Sequence, residues 1–362
     1  MTEPTISGAA LSARFYEEAV APILRGHFPG LDYSACLLGY GSEVLGFDDQ
    51  RSRDHNWGPR LRLLLDERDW ETRDAVSRTL SEELPVQFLG FPTNFRNEGG
   101  AWQPAAIEEG PVNHRVEIWQ SEQFFEYHLG FDPRNGVRTE DWLAVPTQRL
   151  LEITAGPVFH DALNVLQPAR RELAWYPADV WRYVLASQWQ RIAEEEAFVG
   201  RATEVGDDLG SRIVVARLVR DLVRLWLLIN RRYPPYSKWL GTAFAHASPP
   251  DRLVTGLEGA LAGARPDDRE RSLAQAYEVV AEASNATELA PAVEPTSRLH
   301  GRPYRIIRGE RFSAALRDAI SHVQLKNRSL VGAIDQFIDN TTVLSDAPTF
   351  RKYGHMLLDE ES

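Results

Sequence analysis

Between residues 39 and 60 the sequence reads GYGSEVLGFDDQRSRDHNWGPR, which packs a Gly-Ser pair, aspartates, a histidine and arginines into one short span. Gly41 lets a ligand approach the backbone closely, and the amide and hydroxyl of Ser42 can both donate to a phosphate oxygen. Asp54-His55-Asn56-Trp57 follows. On a strand, alternate residues share a face, so Asp54 and Asn56 would point together while His55 and Trp57 point the other way. Farther on, Val116-Glu117-Ile118 sets a carboxylate in an otherwise apolar strand. Asp54, Asn56 and Glu117 beside a Gly-Ser turn would be oxygen donors for Mg²⁺ or Mn²⁺ bridging a triphosphate, because hard cations take oxygen ligands and keep several waters. The same composition also suits a solvated loop in which Asp54 caps a turn. Arg60 could neutralise a phosphate or pair with Asp66. His55 reads as a packed histidine more readily than as a catalytic one.

A second group of charges lies in SRIVVARLVRDLVRLWLL, where Arg217, Arg220 and Arg224 fall on a strongly apolar helix. Charges on such a helix face either water or a polar cleft. One reading is a solvated stripe bridged to Asp221; the other is an electropositive wall facing the carboxylates across a domain cleft. RRYPPYSKWLG follows directly. There Lys238 is a candidate phosphate contact, and Tyr236 or Trp239 could stack on a base or line an acceptor pocket, although a lysine near a helix terminus also interacts with carbonyls. Asp207 or Asp208 fits a helix N-cap.

The elements that must position these residues can be read from periodicity. Leu11, Phe15, Val20 and Leu24 share one face of an amphipathic helix that ends at Pro29-Gly30. YSACLLGYG, RLRLLLDE, PVQFLGFP and HRVEIWQ read as strands, and DWETRDAVSRTLSEEL reads as a helix. Residues 92–112, rich in Asn, Gly, Pro and Glu, read as a long loop. After about residue 140, helical spacing dominates and strand alternation nearly disappears. The expected fold class is therefore α+β: a mixed sheet with helices over 1–140, then an all-α domain over 141–362.

Composition limits the functions available. The chain has 362 residues, 43% of them hydrophobic and 25% charged, which is ordinary for a globular protein of two domains. A net charge of −12 disfavours salt-driven binding to nucleic acid or an anionic membrane. The N-terminal stretch lacks a basic start before an apolar core, and about 18 consecutive apolar residues occur nowhere, so neither a signal peptide nor a membrane span is expected. With Cys36 the single cysteine, neither an intramolecular disulfide nor a cysteine zinc site can form, and a reducing cytoplasm is the expected setting. There is no Gly-x-Ser-x-Gly elbow, no Gly-Lys-Ser/Thr loop and no His-Glu-x-x-His.

Gly41-Ser42, eleven intervening residues and Asp54-His55-Asn56, with Glu117 on a later strand, resemble the signature of the DNA-polymerase-β-like nucleotidyltransferase superfamily. GSEVLGFDDQRSRDHNWGPR, together with FVGRATEVGDDLGSRIVVARLVRDLVRLWLLINRRYPPYSKWLGTAF, is similar to a bacterial family of unknown function assigned to that superfamily. The resemblance implies a helical domain that closes over the acceptor, with a layout similar to aminoglycoside nucleotidyltransferases. It also implies that Gly41 and Ser42 hold nucleotide phosphates, that Asp54 binds metal, and that Glu117 ligates metal or accepts a proton. Asn56 stands where the superfamily has a second aspartate, and an amide brings no negative charge. The implied reaction is metal-dependent transfer of a nucleoside monophosphate from a nucleoside triphosphate to a hydroxyl of a small-molecule acceptor. The alternatives are a nucleotide-binding or regulatory module without transfer, and a lyase or hydrolase that reuses the cleft on a small anionic metabolite.

Overall fold

The computed structural model describes residues 6–53, 56–296, 298–299 and 304–358. Asp54 and His55 therefore lie outside the described residues. The fold is α+β, as the periodicity predicts. Its two compact units comprise residues 1–137 with 149–174, and residues 138–148 with 175–362.

The first unit is organised around a four-stranded sheet. Its strands are β1 (Tyr33–Cys36), β2 (Arg60–Leu65), β7 (Arg115–Gln120) and β8 (Val158–Asp161), in the order β7-β2-β1-β8. β2 and β7 are parallel, and the β1–β2 and β1–β8 pairs are antiparallel. β8 is the strand that the pattern after residue 140 hides. Four residues are too few to display alternation, and the strand is completed only by its partner. Asp161 at its end takes a hydrogen bond from the Ser34 hydroxyl and from the amides of Val165, Leu166 and Gln167, capping the helix Leu166–Glu172.

The N-terminal helix is as expected on its buried face: Leu11, Phe15, Val20 and Leu24 are at most 1% exposed. It runs as Gly8–Phe15, a π turn over Tyr16–Val20, and Ala21–His27. Pro22 lacks an N–H and its ring crowds the carbonyl four residues back, a conflict that a wider turn relieves. These side chains pack with Leu61, Leu63, Leu65, Val76 and Leu80 in one apolar core.

Residues 92–112 are not wholly loop. β5 (Phe95–Glu98) and β6 (Ala101–Pro104) form a hairpin across Gly99-Gly100, both at positive φ. Two such residues match the twist of the flanking strands, and Gly-Gly supplies them without strain. The strand expected at PVQFLGFP is instead a minimal hairpin, β3 (Gln87–Phe88) with β4 (Phe91–Pro92), turning at Leu89-Gly90.

The second unit is helical apart from the short pair β9 (Arg298–Leu299) and β10 (Arg305–Ile306). Its long helices are Ala178–Glu195, Asp208–Ile229 and Pro266–Ala286. Asp207 caps the second, its carboxylate accepting the Gly210 amide at 2.8 Å. Among the described residues no helix is long and apolar enough to cross a membrane.

Glu196 is a buried carboxylate in this unit. It accepts the amides of Ile307, Arg308 and Gly309 at 2.7, 3.1 and 3.1 Å, at the entry to the helix Glu310–Asp318. Burial outweighs these donors and pushes its pKa from 4.5 up to about 7. A raised folded-state pKa gives stability that is present below the ordinary carboxylate value and lost as pH rises through about 7. Between pH 5 and 8 the second unit is expected to lose about 2 to 3 kcal/mol through this group, at 1.36 kcal/mol per pKa unit. Denaturant unfolding across that range should show the loss in the wild type and not in Glu196→Gln.

Candidate functional site

The site is built by the alternation of two adjacent strands. All six positions of β2, Arg-Leu-Arg-Leu-Leu-Leu, are buried. Leu61, Leu63 and Leu65 enter the core, which sends Arg60 and Arg62 to the opposite face. β7 lies beside β2 with Arg115 opposite Arg60 and Glu117 opposite Arg62, so all four charged side chains share that face.

Arg60, Arg62 and Arg115 are 2%, 1% and 3% exposed. Buried guanidinium groups require partners. Arg60 donates from Nε to Glu43 Oε1 at 2.7 Å and from Nη2 to the Tyr40 carbonyl at 2.7 Å. Glu43, itself buried, comes from the single helical turn Ser42–Leu45. Arg62 donates from Nη1 to the Leu38 carbonyl, and its Nε lies 3.1 Å from Glu117 Oε2. Arg115 donates from Nη2 to the Tyr40 hydroxyl at 2.7 Å and to Glu117 Oε1. The Tyr40 hydroxyl in turn donates to Glu117 Oε1 at 3.0 Å. The Tyr40 ring lies 4.8 Å from the Arg62 guanidinium, and the Trp102 ring 4.5 Å from that of Arg115.

This face has more donors than its carboxylates accept. Three guanidinium groups meet two carboxylates, Glu43 and Glu117. Arg62 Nη2, Arg115 Nε and both ring nitrogens of His128 are buried without a hydrogen-bond partner. Since buried polar groups are nearly always paired, the unpaired guanidinium donors of Arg62 and Arg115 suit an anion. Burial alone would raise the Glu117 carboxyl, but Arg62, Arg115 and Arg60 outweigh it and hold the group below the usual carboxylate range. Burial, with Arg62 and Arg149, keeps His128 well below the usual imidazole value, so its ring is neutral. Burial pushes the Cys36 thiol up to about 12, which leaves it unreactive.

The turn before the site depends on glycine. Gly41 has φ +135°, and a Cβ there would lie 2.7 Å from Glu43 Oε2 and closer still to Arg60 Nη2. Gly41→Ala should therefore cost more than the roughly 1–3 kcal/mol of backbone strain alone. Gly46, at φ +71° with open space around it, isolates the strain component. Chemical denaturation should show a larger loss in Gly41→Ala than in Gly46→Ala.

The predicted site residues divide between the two units. Gly41, Ser42, Asn56, Arg60 and Glu117 belong to the first; Arg217, Arg220, Tyr236 and Lys238 belong to the second. Ser42 opens the turn with Gly41 at its N-cap position. Arg60 pairs with Glu43 and not with Asp66. Asn56 does not sit in a strand: it has φ +53°, and β2 begins only at Arg60. Its amide N–H donates to the Trp102 carbonyl at 2.7 Å and its Oδ1 accepts the Trp102 N–H at 3.1 Å, tying it to the 95–104 hairpin. Trp57 is buried and donates to Asp48 at 3.1 Å.

In the second unit each arginine of the stripe has its own carboxylate. Arg217 pairs with Glu195 at 2.5 Å, Arg220 with Asp339 at 2.9 Å and buried Arg224 with Asp335 at 2.7 Å. Asp221 instead receives Gln188 at 3.2 Å and Arg191 at 3.4 Å. The Lys238 ammonium lies 4.8 Å from the Trp239 ring centroid, and the Tyr236 amide donates to Gln148 at 3.1 Å.

Tyr40, Glu43, Arg62, Arg115 and His128 are the residues that sequence reasoning missed. The signal for two of them was present: arginines at alternate positions of RLRLLL, and Arg115 two residues from Glu117 in HRVEIW, put charge on one face of two strands.

Comparison with known proteins places part of this chain in context. Residues 142–240 match a family described as "Domain of unknown function (DUF4037)", a span that takes in most of the second resembling block and none of the first. The chain is also similar to the solved structure of a nucleotidyltransferase-like protein from Exiguobacterium sibiricum 255-15, at 13% identity over 77% of this chain and 76% of that one, with a TM-score of 0.34. No curated protein matches it.

Proposed function

We propose that the first unit binds the phosphates of a nucleoside triphosphate on the arginine face of its sheet. We propose further that the reaction it serves is transfer of a nucleoside monophosphate to a hydroxyl of a small-molecule acceptor. The observation that carries the binding reading is the pair of buried, unpartnered guanidinium donors, Arg62 Nη2 and Arg115 Nε, beside the Gly39–Gly41 turn. In this reading Gly41 and Ser42 approach the phosphate chain and the guanidinium groups of β2 and β7 offset its charge.

The described residues do not fit Mg²⁺ or Mn²⁺. Glu117 is engaged by Arg62, Arg115 and Tyr40, and Asn56 Oδ1 by Trp102. Among the described residues no group of three or more His, Cys, Asp or Glu could hold a metal ion. A metal requirement would therefore rest on Asp54. The same two engaged oxygens favour a second reading, a module that binds nucleotide without transfer.

Melting temperatures with each nucleoside triphosphate, with and without Mg²⁺ or Mn²⁺, test both readings, since a ligand of the native state must raise stability. A shift without metal supports the phosphate site. An added metal-dependent shift that is lost in Asp54→Ala supports transfer. No shift with any nucleotide would overturn the proposal.

A further inference from the structure

The acid that the resemblance assigns to metal binding sits where an anionic ligand would. Arg62 Nε, Arg115 Nη2 and the Tyr40 hydroxyl all converge on the carboxylate of Glu117. They are the donors that a phosphate would take. The two carboxylates of the cluster also differ. Glu43 is 3% exposed and fixed between Arg60 and the glycine turn, whereas the Glu117 side chain is 23% exposed and projects from β7, the end strand in the β7-β2-β1-β8 order.

We propose that Glu117 is an internal stand-in for the ligand: in the free protein its carboxylate occupies the guanidinium donors of Arg62 and Arg115, and a bound phosphate displaces it. The inference rests on the phosphate-binding reading and refines it. Glu117 at the sheet edge turns outward on its own side-chain torsions, with no change in strand pairing. The ligand then inherits the Arg62 Nε, Arg115 Nη2 and Tyr40 hydroxyl donors that face Glu117, together with the unpartnered Arg62 Nη2 and Arg115 Nε. Glu43 stays in place and keeps Arg60 compensated. The device is an autoinhibitory contact, which lowers apparent affinity by the fraction of time the donors are free and suppresses capture of weakly charged anions.

Calorimetric titration of inorganic pyrophosphate into wild type, Glu117→Gln and Glu117→Asp, in EDTA, tests it. Glu117→Gln removes the competing charge and keeps an oxygen for Tyr40. It is expected to bind pyrophosphate at least about tenfold more tightly than wild type, the gain when donors free less than a tenth of the time become permanently free. Glu117→Asp retains the charge with a shorter reach and should fall between the two; it preserves the test if the glutamine variant folds poorly. Wild-type binding with equal or weaker binding in both variants would overturn the stand-in role and leave the phosphate site intact. No binding in any of the three would overturn both.

Discussion

Glu43→Leu is expected to destabilise the first unit by about 3–5 kcal/mol, because removing one partner of a buried ion pair leaves the other charge uncompensated. The Arg60 and Glu43 side chains are each 3% exposed, so water cannot take over either role. For a unit of this size that corresponds to a fall in melting temperature of roughly 10 °C, at about 2–4 °C per kcal/mol. Arg60→Met alone should cost a similar amount, since it strands the carboxylate. The double variant Glu43→Leu/Arg60→Met should recover most of the loss, as replacing both charges with apolar groups is often neutral. Thermal unfolding of the two singles and the double checks this. Additive losses would show that Glu43 and Arg60 act independently.

The second large effect concerns binding. Arg62 holds the Leu38 carbonyl, faces Glu117 and stacks on Tyr40, and its Nη2 is one of the unpartnered donors. Arg62→Met should weaken pyrophosphate or nucleoside triphosphate binding by roughly 10- to 100-fold, the loss of one charge-assisted hydrogen bond of about 1.5–3 kcal/mol. Arg68 carries the same charge but is 62% exposed and paired with Asp32 on the surface. Arg68→Met should leave affinity near the wild-type value, so titration of the two variants separates a specific contact from a change in net charge. Equal losses in both would point to non-specific electrostatics.

The sequence revealed most where a residue's fate depends on its near neighbours. Leu11, Phe15, Val20 and Leu24 declare a helix face through their spacing, and the structure buries all four. Asp207 declares its cap in the same local way. The features it concealed depend on partners distant in the chain. β8 is a strand only because β1 pairs with it, and the helical segments around it mask four residues of pattern. Glu43 is, in the sequence, one charge in a polar stretch, yet the turn of Ser42–Leu45 delivers it to Arg60, seventeen residues away. The alternation that would put Asp54 and Asn56 on one face requires a strand there, and Asn56 lies ahead of β2, which begins at Arg60. Its positive φ and its two bonds to Trp102 arise from a hairpin, in a segment whose Gly-Gly turn was the one legible clue. Glu117 stands out in the sequence as a carboxylate in an apolar strand; that it faces Arg62 follows from the parallel register with β2, which a single strand does not reveal.

In the proposed function the arginine face of the first unit holds the phosphates of a nucleotide without metal. Calorimetric titration of the wild-type protein with ATP, GTP, CTP and UTP, and with the four corresponding nucleosides, all in EDTA and at two salt concentrations, tests it most directly. Saturable binding of at least one triphosphate, weaker at the higher salt, is expected, with no comparable binding of its nucleoside. Absence of triphosphate binding in EDTA, or a nucleoside that binds as tightly as its triphosphate, would contradict it.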